Sequence, residues 1–139
     1  MVCTETKIRV RYGETDRMGY LYYGHYAMYF EVGRTEMMRS LGMTYKSMED
    51  EGIILPVRSM TINFRHPAHY DDLLTVKTCL KSFPEVKLDF HYEILNEEGL
   101  VHCNGNTVLV FVDATTKKIR KAPGYFLEAV RKYFPDNDG

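Results

Sequence analysis

Residues Gly13–Arg34 read GETDRMGYLYYGHYAMYFEVGR, and the architecture follows from how that stretch changes character along its length. Glu14, Thr15, Asp16, Arg17 and Gly19 pack turn-forming residues too densely for a strand to continue. From His25 to Leu41 the apolar period is helical. Tyr26, Phe30, Gly33, Met37 and Leu41 share one side, with Tyr29 and Met38 beside them, while Glu31, Arg34, Thr35 and Arg39 fill much of the remainder. Gly24 suits the N-cap of this helix and Gly42 its C-terminal cap. Gly33 in mid-helix costs about 1 kcal/mol relative to alanine. It marks either a close approach to a sheet or a tolerated cost.

Outward from the helix, the remaining pattern is that of strands. Upstream, Lys7–Tyr12 alternates, with Ile8, Val10 and Tyr12 on one side and Lys7, Arg9 and Arg11 on the other. Downstream, residues 44–52 form a short second helix or an irregular connection closed by Gly52. Residues 53–65 form a strand interrupted by Pro56 and paired from Val57 onward. RHPAHYDD (65–72) is a connection, and 73–83 is a strand with no clean polar face. In 86–95 the alternation is sharpest: Val86, Leu88, Phe90, Tyr92 and Ile94 against Lys87, Asp89, His91 and Glu93. NEEG (96–99) reads as a hairpin turn, followed by a last strand over 100–113 that is apolar on both faces at TVLVFV. A short helix over 125–133 and a fraying tail, FPDNDG, complete the chain. The expectation is an α+β fold in which five mainly antiparallel strands wrap one helix. Such a helix of about seventeen residues spans about 25 Å. The doubly apolar last strand suggests a contact with another subunit.

A chain of 139 residues makes one domain, 1–139, large enough to bury roughly two-thirds of its extended-chain surface. Eighteen basic residues against nineteen acidic ones, with no basic stripe, argue against nucleic acid as the main partner. MVCTETKIRV lacks an apolar leader core, and no run of about twenty apolar residues occurs, so integral membrane association is not expected and a cytoplasmic location is. Cys3, Cys79 and Cys103 form no CxxC pair and read as reduced, buried or half-buried thiols.

Asp16 carries the main chemical clue, since it lies in a turn shortly before a helix. The first amides of a helix lack internal partners and sit at the positive end of its dipole, so they can receive a carbonyl oxygen and stabilise charge developing on it. A carboxylate beside that carbonyl can take a proton from water or attack directly. A thioester suits such sparse equipment, because its leaving thiol has a pKa near about 8.5 and needs little help from an acid. On the residues alone, Asp16 reads more readily as a cap or a solvated loop residue than as a catalytic group. Glu31 could reach the same cavity or pair with Arg34 or Thr35 on the surface.

The block Tyr12–Met37, YGETDRMGYLYYGHYAMYFEVGRTEM, resembles the signature of hotdog-fold acyl-CoA thioesterases of the 4-hydroxybenzoyl-CoA thioesterase/YbgC-like family. The likeness continues through INFRHPAHYDDLLTVKT (62–78), FHYEI (90–94) and GNTVLVFVD (105–113), in the right order over nearly the whole chain. It implies a hotdog domain that dimerises edge to edge, often as a dimer of dimers, with its cleft between subunits. The implied substrate is an acyl-CoA or acyl-carrier-protein thioester, hydrolysed to free acid and thiol, with coenzyme A part of the substrate and no separate cofactor. Carried over by position, the catalytic aspartate is Asp16 and the amide that polarises the carbonyl is that of Tyr23. Gly19 matches the glycine of D-x-x-G, Tyr22 the preceding tyrosine, Gly24 the start of the helix, and Glu31 and Arg34 the helix E-x-x-R. Some relatives have histidine where this chain has Tyr23. His25 stands where many have Asn or Ser, and either contacts the acyl group or Asp16, or satisfies the first helical turn. Two other activities suit the same fold: an acyl dehydratase or hydratase, and a non-catalytic acyl-CoA or acyl-carrier binding module.

Other clusters carry less. His66, His69, Asp71 and Asp72 lack the helical spacing and the glutamate of a zinc motif, so no metal is expected. Met18, Met28, Met37 and Met38 line an adaptable pocket or pack the helix. Arg58, Arg65, Lys81 and Lys87 are candidates for the coenzyme A phosphates, and spacing does not choose among them.

Overall fold

The helix expected from His25 spans His25–Ser40 (α1) in the computed structural model, which describes residues 1–137. Gly24 is its N-cap, and Gly42, at φ +89°, lets the chain leave it. The amides of Gly42 and Met43 reach back to the carbonyls of Arg39 and Met38 at 3.0 and 3.1 Å, which satisfies two otherwise orphaned groups. The buried side of α1 is Tyr26, Tyr29, Phe30, Gly33, Arg34, Met37 and Met38. A Cβ on Gly33 would stand 2.8 Å from Val76 Cγ1 and press on Thr78 Oγ1, so the missing side chain is what allows the helix to lie on the sheet.

In chain order the strands are β1 (Val2–Arg9), β2 (Ile53–Ile54), β3 (Val57–Phe64), β4 (Leu73–Leu80), β5 (Lys87–Leu95), β6 (Val101–Val110) and β7 (Val112–Asp113). Five of them form one antiparallel sheet, ordered β1-β4-β5-β6-β3, that wraps α1; this is a hotdog fold. The sheet face toward α1 supplies Leu74, Val76, Leu80, Leu88, Phe90, Tyr92, Ile94 and Leu109, all buried. At the centre Phe30 stacks on Tyr92 with ring centroids 4.1 Å apart and planes 5° from parallel. Helix α2 (Tyr45–Asp50) and the β2–β7 pair close one end, while helix α3 (Gly124–Arg131) buries Phe126 and Val130 against it.

Some boundaries differ from the sequence reading. The first strand is Val2–Arg9 rather than Lys7–Tyr12, because backbone pairing with β4 carries a segment whose apolar content is slight. Tyr12 opens a 3-10 turn and is 78% exposed. The last strand is split, with Val112–Asp113 turning away to pair with β2. The short terminal helix starts one residue early and ends two short of Tyr133. Of the tail, Phe134 is buried and Pro135–Asn137 forms a 3-10 turn; Asp138 and Gly139, expected to fray, lie outside the described residues.

The cysteine reading is corrected as well. Cys3 and Cys79 stand directly opposite each other on β1 and β4, their Cα atoms 4.1 Å apart, and form a disulfide. A pairing across a sequence separation of 76 residues needs the strand register to be visible. Cys103 is free and buried, and burial pushes its thiol up to about 12, which leaves it without thiolate chemistry. Closing so long a loop restricts the unfolded chain, so reduction is expected to cost about 2–4 kcal/mol. Urea denaturation with and without dithiothreitol measures this, with Cys3→Ser as control. Coincident curves would show that the two sulfurs do not bridge in solution.

Candidate functional site

Asp16 sits in a tight turn built by its own backbone. Its N–H donates to the Tyr20 carbonyl at 2.8 Å, and its carbonyl accepts from the Gly19 N–H at 3.0 Å. Gly19 closes the turn at φ +80°, a conformation other residues adopt only with strain. The side chain is fixed as well. Oδ1 accepts from the amides of Met18 at 2.9 Å and Tyr20 at 3.2 Å, an arrangement that aspartate favours in turns. Oδ2 has no hydrogen-bond partner among the described residues. One oxygen therefore orients the carboxylate and the other is left for chemistry.

A cleft of about 370 Å³ opens beside it, lined by Asp16, Tyr20, Tyr23, Tyr26, Phe64, Arg65 and His66, among others. Its wall is largely aromatic. Tyr26 and Phe64 meet edge to face at 5.4 Å, and Tyr23 approaches Phe64 at 6.3 Å. Burial, with smaller contributions from its neighbours, raises the Tyr26 phenol to about 12, so it stays protonated there. At the mouth of α1 the amides of His25 and Tyr26 bond the carbonyls of Tyr22 and Tyr23 at 2.9 and 3.3 Å. The amides of Tyr23 and Gly24 find no acceptor among the described residues. They are the donors that the helix start offers to a ligand.

The other residues singled out from the sequence fall in different places. Glu31 lines a second cleft of about 310 Å³, with Lys7, Arg11, Glu14, Met28 and Tyr29, rather than the cleft of Asp16 in the same chain. Arg34 is only 7% exposed, lines neither cleft, and packs with Tyr45 and Tyr92; its Nε meets no partner among the described residues. Tyr22 stacks obliquely on Tyr23 at 4.6 Å, and the edge of Gly24 faces the Tyr22 ring, where a Cβ would come within 2.7 Å. His25 meets Tyr22 edge-on at 6.0 Å, and its buried Nδ1 has no partner among the described residues. Arg65 lines the cleft, whereas Lys81 lines a separate groove on the sheet and Lys87 another. Among the described residues no cluster of three His, Cys, Asp or Glu side chains is placed to hold a metal, and no helix is long and apolar enough to cross a membrane.

Sequence reasoning overlooked Glu14, which ties the Asp16 turn to the helix. Only 6% exposed, it accepts from the Tyr29 hydroxyl and the Arg11 amide at Oε1, both 2.8 Å, and from the Arg11 guanidinium at Oε2, 3.2 Å. Its carbonyl takes the Tyr22 amide at 2.9 Å. Burial works to raise its pKa, but the bonds from Arg11 and Tyr29 together outweigh it, and the carboxyl is held below the ordinary glutamate range. Nothing in the motif distinguishes this residue from a solvated turn glutamate. Because its folded pKa is depressed, it stabilises the fold above the ordinary value of about 4.3, and that contribution disappears as pH falls through the lowered value. Glu14→Gln is expected to cost about 1–3 kcal/mol at pH 7. In urea titrations the gap to the parent should close below about pH 4.

Residues 10–130 match the thioesterase-like superfamily. YneP of Bacillus subtilis is 34% identical over 136 residues, 98% of this chain and 93% of that protein. The acyl-CoA thioester hydrolase YbgC of Escherichia coli is 32% identical over 116 residues, 84% of this chain and 87% of that one. Among solved structures, DHNA-CoA thioesterase from Staphylococcus aureus superposes with a TM-score of 0.83 at 35% identity, covering 98% of this chain and 86% of its own.

Proposed function

Because this chain belongs to the thioesterase-like superfamily, as a hotdog-fold relative of the YbgC and 4-hydroxybenzoyl-CoA thioesterases, we propose that it hydrolyses acyl-CoA thioesters through Asp16. The observation that carries the reading is the shared cleft. The Asp16 carboxylate, with one oxygen unengaged, and Tyr23, whose amide is free, line the same aromatic-walled space. The thioester carbonyl oxygen lies against the amides of Tyr23 and Gly24, which stabilise the negative charge that grows on it as the carbonyl becomes tetrahedral. Two routes satisfy this arrangement. In one, Asp16 takes a proton from water and the resulting hydroxide forms the new C–O bond. In the other, Asp16 attacks to give a mixed anhydride that water then opens. Both expel the thiolate, which carries the electron pair of the broken C–S bond. Label in the Asp16 carboxylate after a single turnover in ¹⁸O-water requires the anhydride route, with water opening the anhydride at the aspartyl carbon.

The acyl group this cleft favours is one with a flat apolar face, since Tyr20, Tyr23, Tyr26 and Phe64 present rings to it. The second chain completes the site. Strand β3 pairs only with β6 and exposes Val57, Met60 and Phe64, and the outer side of α1 exposes Met28 and Val32. An open apolar edge strand invites pairing with another copy, and the sum of these surfaces supports a homodimer. Glu31 lies outside the cleft of its own chain, so any part it takes in the reaction is at the cleft of the partner chain. Thiol release from short, long and aromatic acyl-CoAs and acyl-carrier proteins, with mass determination in solution, tests the whole reading. Binding without thiol release would make the protein an acyl-binding module, and hydration of an enoyl thioester would make it a hydratase.

A further inference from the structure

We propose that His102 is a positioning residue that locks the wall of the Asp16 cleft to the sheet, an inference that rests on that cleft being the reaction site. Across the β5–β6 ladder Ile94 faces Cys103 but Leu95 faces Val101, so His102 is the extra residue of a β-bulge. Bulges re-aim side chains and end pairing near sites, and here the bulge serves the corner that follows β3. The imidazole Nδ1 lies 3.0 Å from the His66 carbonyl. A carbonyl only accepts, so Nδ1 carries the hydrogen. The carbonyl of His102 in turn takes the amides of Arg65 at 2.9 Å and His66 at 3.2 Å. Three hydrogen bonds from one residue thus grip Arg65 and His66, two of the residues that line the cleft with Asp16.

The grip continues to the carboxylate itself. Two residues past His66, the Ala68 carbonyl accepts the Leu21 amide at 2.7 Å, and His69 bridges to Tyr20. The Tyr20 carbonyl accepts the Asp16 amide at 2.8 Å, and the Tyr20 amide donates to Asp16 Oδ1 at 3.2 Å. Hydrogen bonds joined by short stretches of backbone therefore connect the imidazole through the corner to the turn that aims Asp16. His102 is 3% exposed, and its buried Nε2 has no partner among the described residues, so Nδ1 is the ring atom that holds it. A histidine kept in a buried place at the expense of an unpaired nitrogen is there for the bond its other nitrogen makes.

Asparagine and glutamine divide the ring between them. His102→Asn puts an amide donor where Nδ1 stands, whereas His102→Gln puts one near Nε2. His102→Gln and His102→Ala are expected to lower kcat/KM about tenfold through a misplaced cleft wall, mainly in KM. His102→Asn should recover most of the loss. Amide exchange of Leu21, Arg65 and His66, read without substrate, should accelerate in the glutamine variant and stay near the parent in the asparagine variant. Equal exchange in the two variants, or unchanged protection of the Leu21 amide in both, would overturn the assignment. Should His102→Ala fail to fold, the asparagine and glutamine pair still decides. Absence of any thioester hydrolysis by the parent would remove the proposed function, while the exchange ordering would continue to test the lock.

Discussion

Asp16→Asn should lower kcat by about 10²–10⁴-fold, the usual contribution of a positioned base, while leaving the fold intact. The reason lies in the division of labour between its two oxygens. Oδ1 accepts from the Met18 and Tyr20 amides, and an asparagine oxygen can take over both bonds. The turn therefore survives. What is lost is the anion at Oδ2, replaced by an NH₂ that can neither accept a proton from water nor attack a carbonyl. Asp16→Ala removes the turn bonds as well, so it should fall at least as far in rate and additionally in thermal stability. The comparison separates chemistry from positioning. KM for Asp16→Asn should change little, because the cleft wall and the amides of Tyr23 and Gly24 remain in place. Full turnover by Asp16→Asn at saturating acyl-CoA would remove this residue from the mechanism.

How much of this was readable in advance depended on the range of the interactions. The α1 pattern was local: apolar spacing, Gly24 before it and Gly42 after it, and the caps formed where those residues predicted. Gly33 was ambiguous until the sheet was placed, when Val76 and Thr78 turned out to occupy the space of its side chain. Val2–Arg9 has only Val2 and Ile8 as strong apolar residues, so its strand character comes from pairing with β4 and not from its own composition. Asp16 was legible because turn formers cluster around it. Glu14, two residues earlier, was not, since its burial is supplied by Tyr29 fifteen positions away. The Cys3–Cys79 pair and the bulge at His102 depend on strand register, which a single sequence does not display. Local turns and caps were thus visible, and the long-range contacts that fix them in place were not.

Phe30→Ala carries the largest expected loss of stability, about 3–5 kcal/mol. Phe30 is fully buried at the middle of α1 and lies flat on Tyr92, whose hydroxyl is in turn bonded to Thr107 on β6. Removing the ring deletes that stack and opens a void between the helix and two central strands. The void cannot be filled from below. Gly105 faces the Phe30 ring, where a Cβ would stand 3.1 Å from Cε2, but that same Cβ would collide with the Thr61 carbonyl on β3, so a larger residue there is blocked with or without Phe30. Nor can Tyr92 move up without giving up Thr107. Phe30→Leu keeps much of the volume and should lose markedly less. Urea unfolding measures both, with the midpoint falling and the slope unchanged if only packing is affected. The effect should also reach the cleft, because the free amides of Tyr23 and Gly24 lie just ahead of the helix that Phe30 seats, and a loosened seat lets those donors drift from Asp16. Equal losses from the alanine and leucine variants would mean that the flat contact with Tyr92, and not the space filled, holds α1 in its groove.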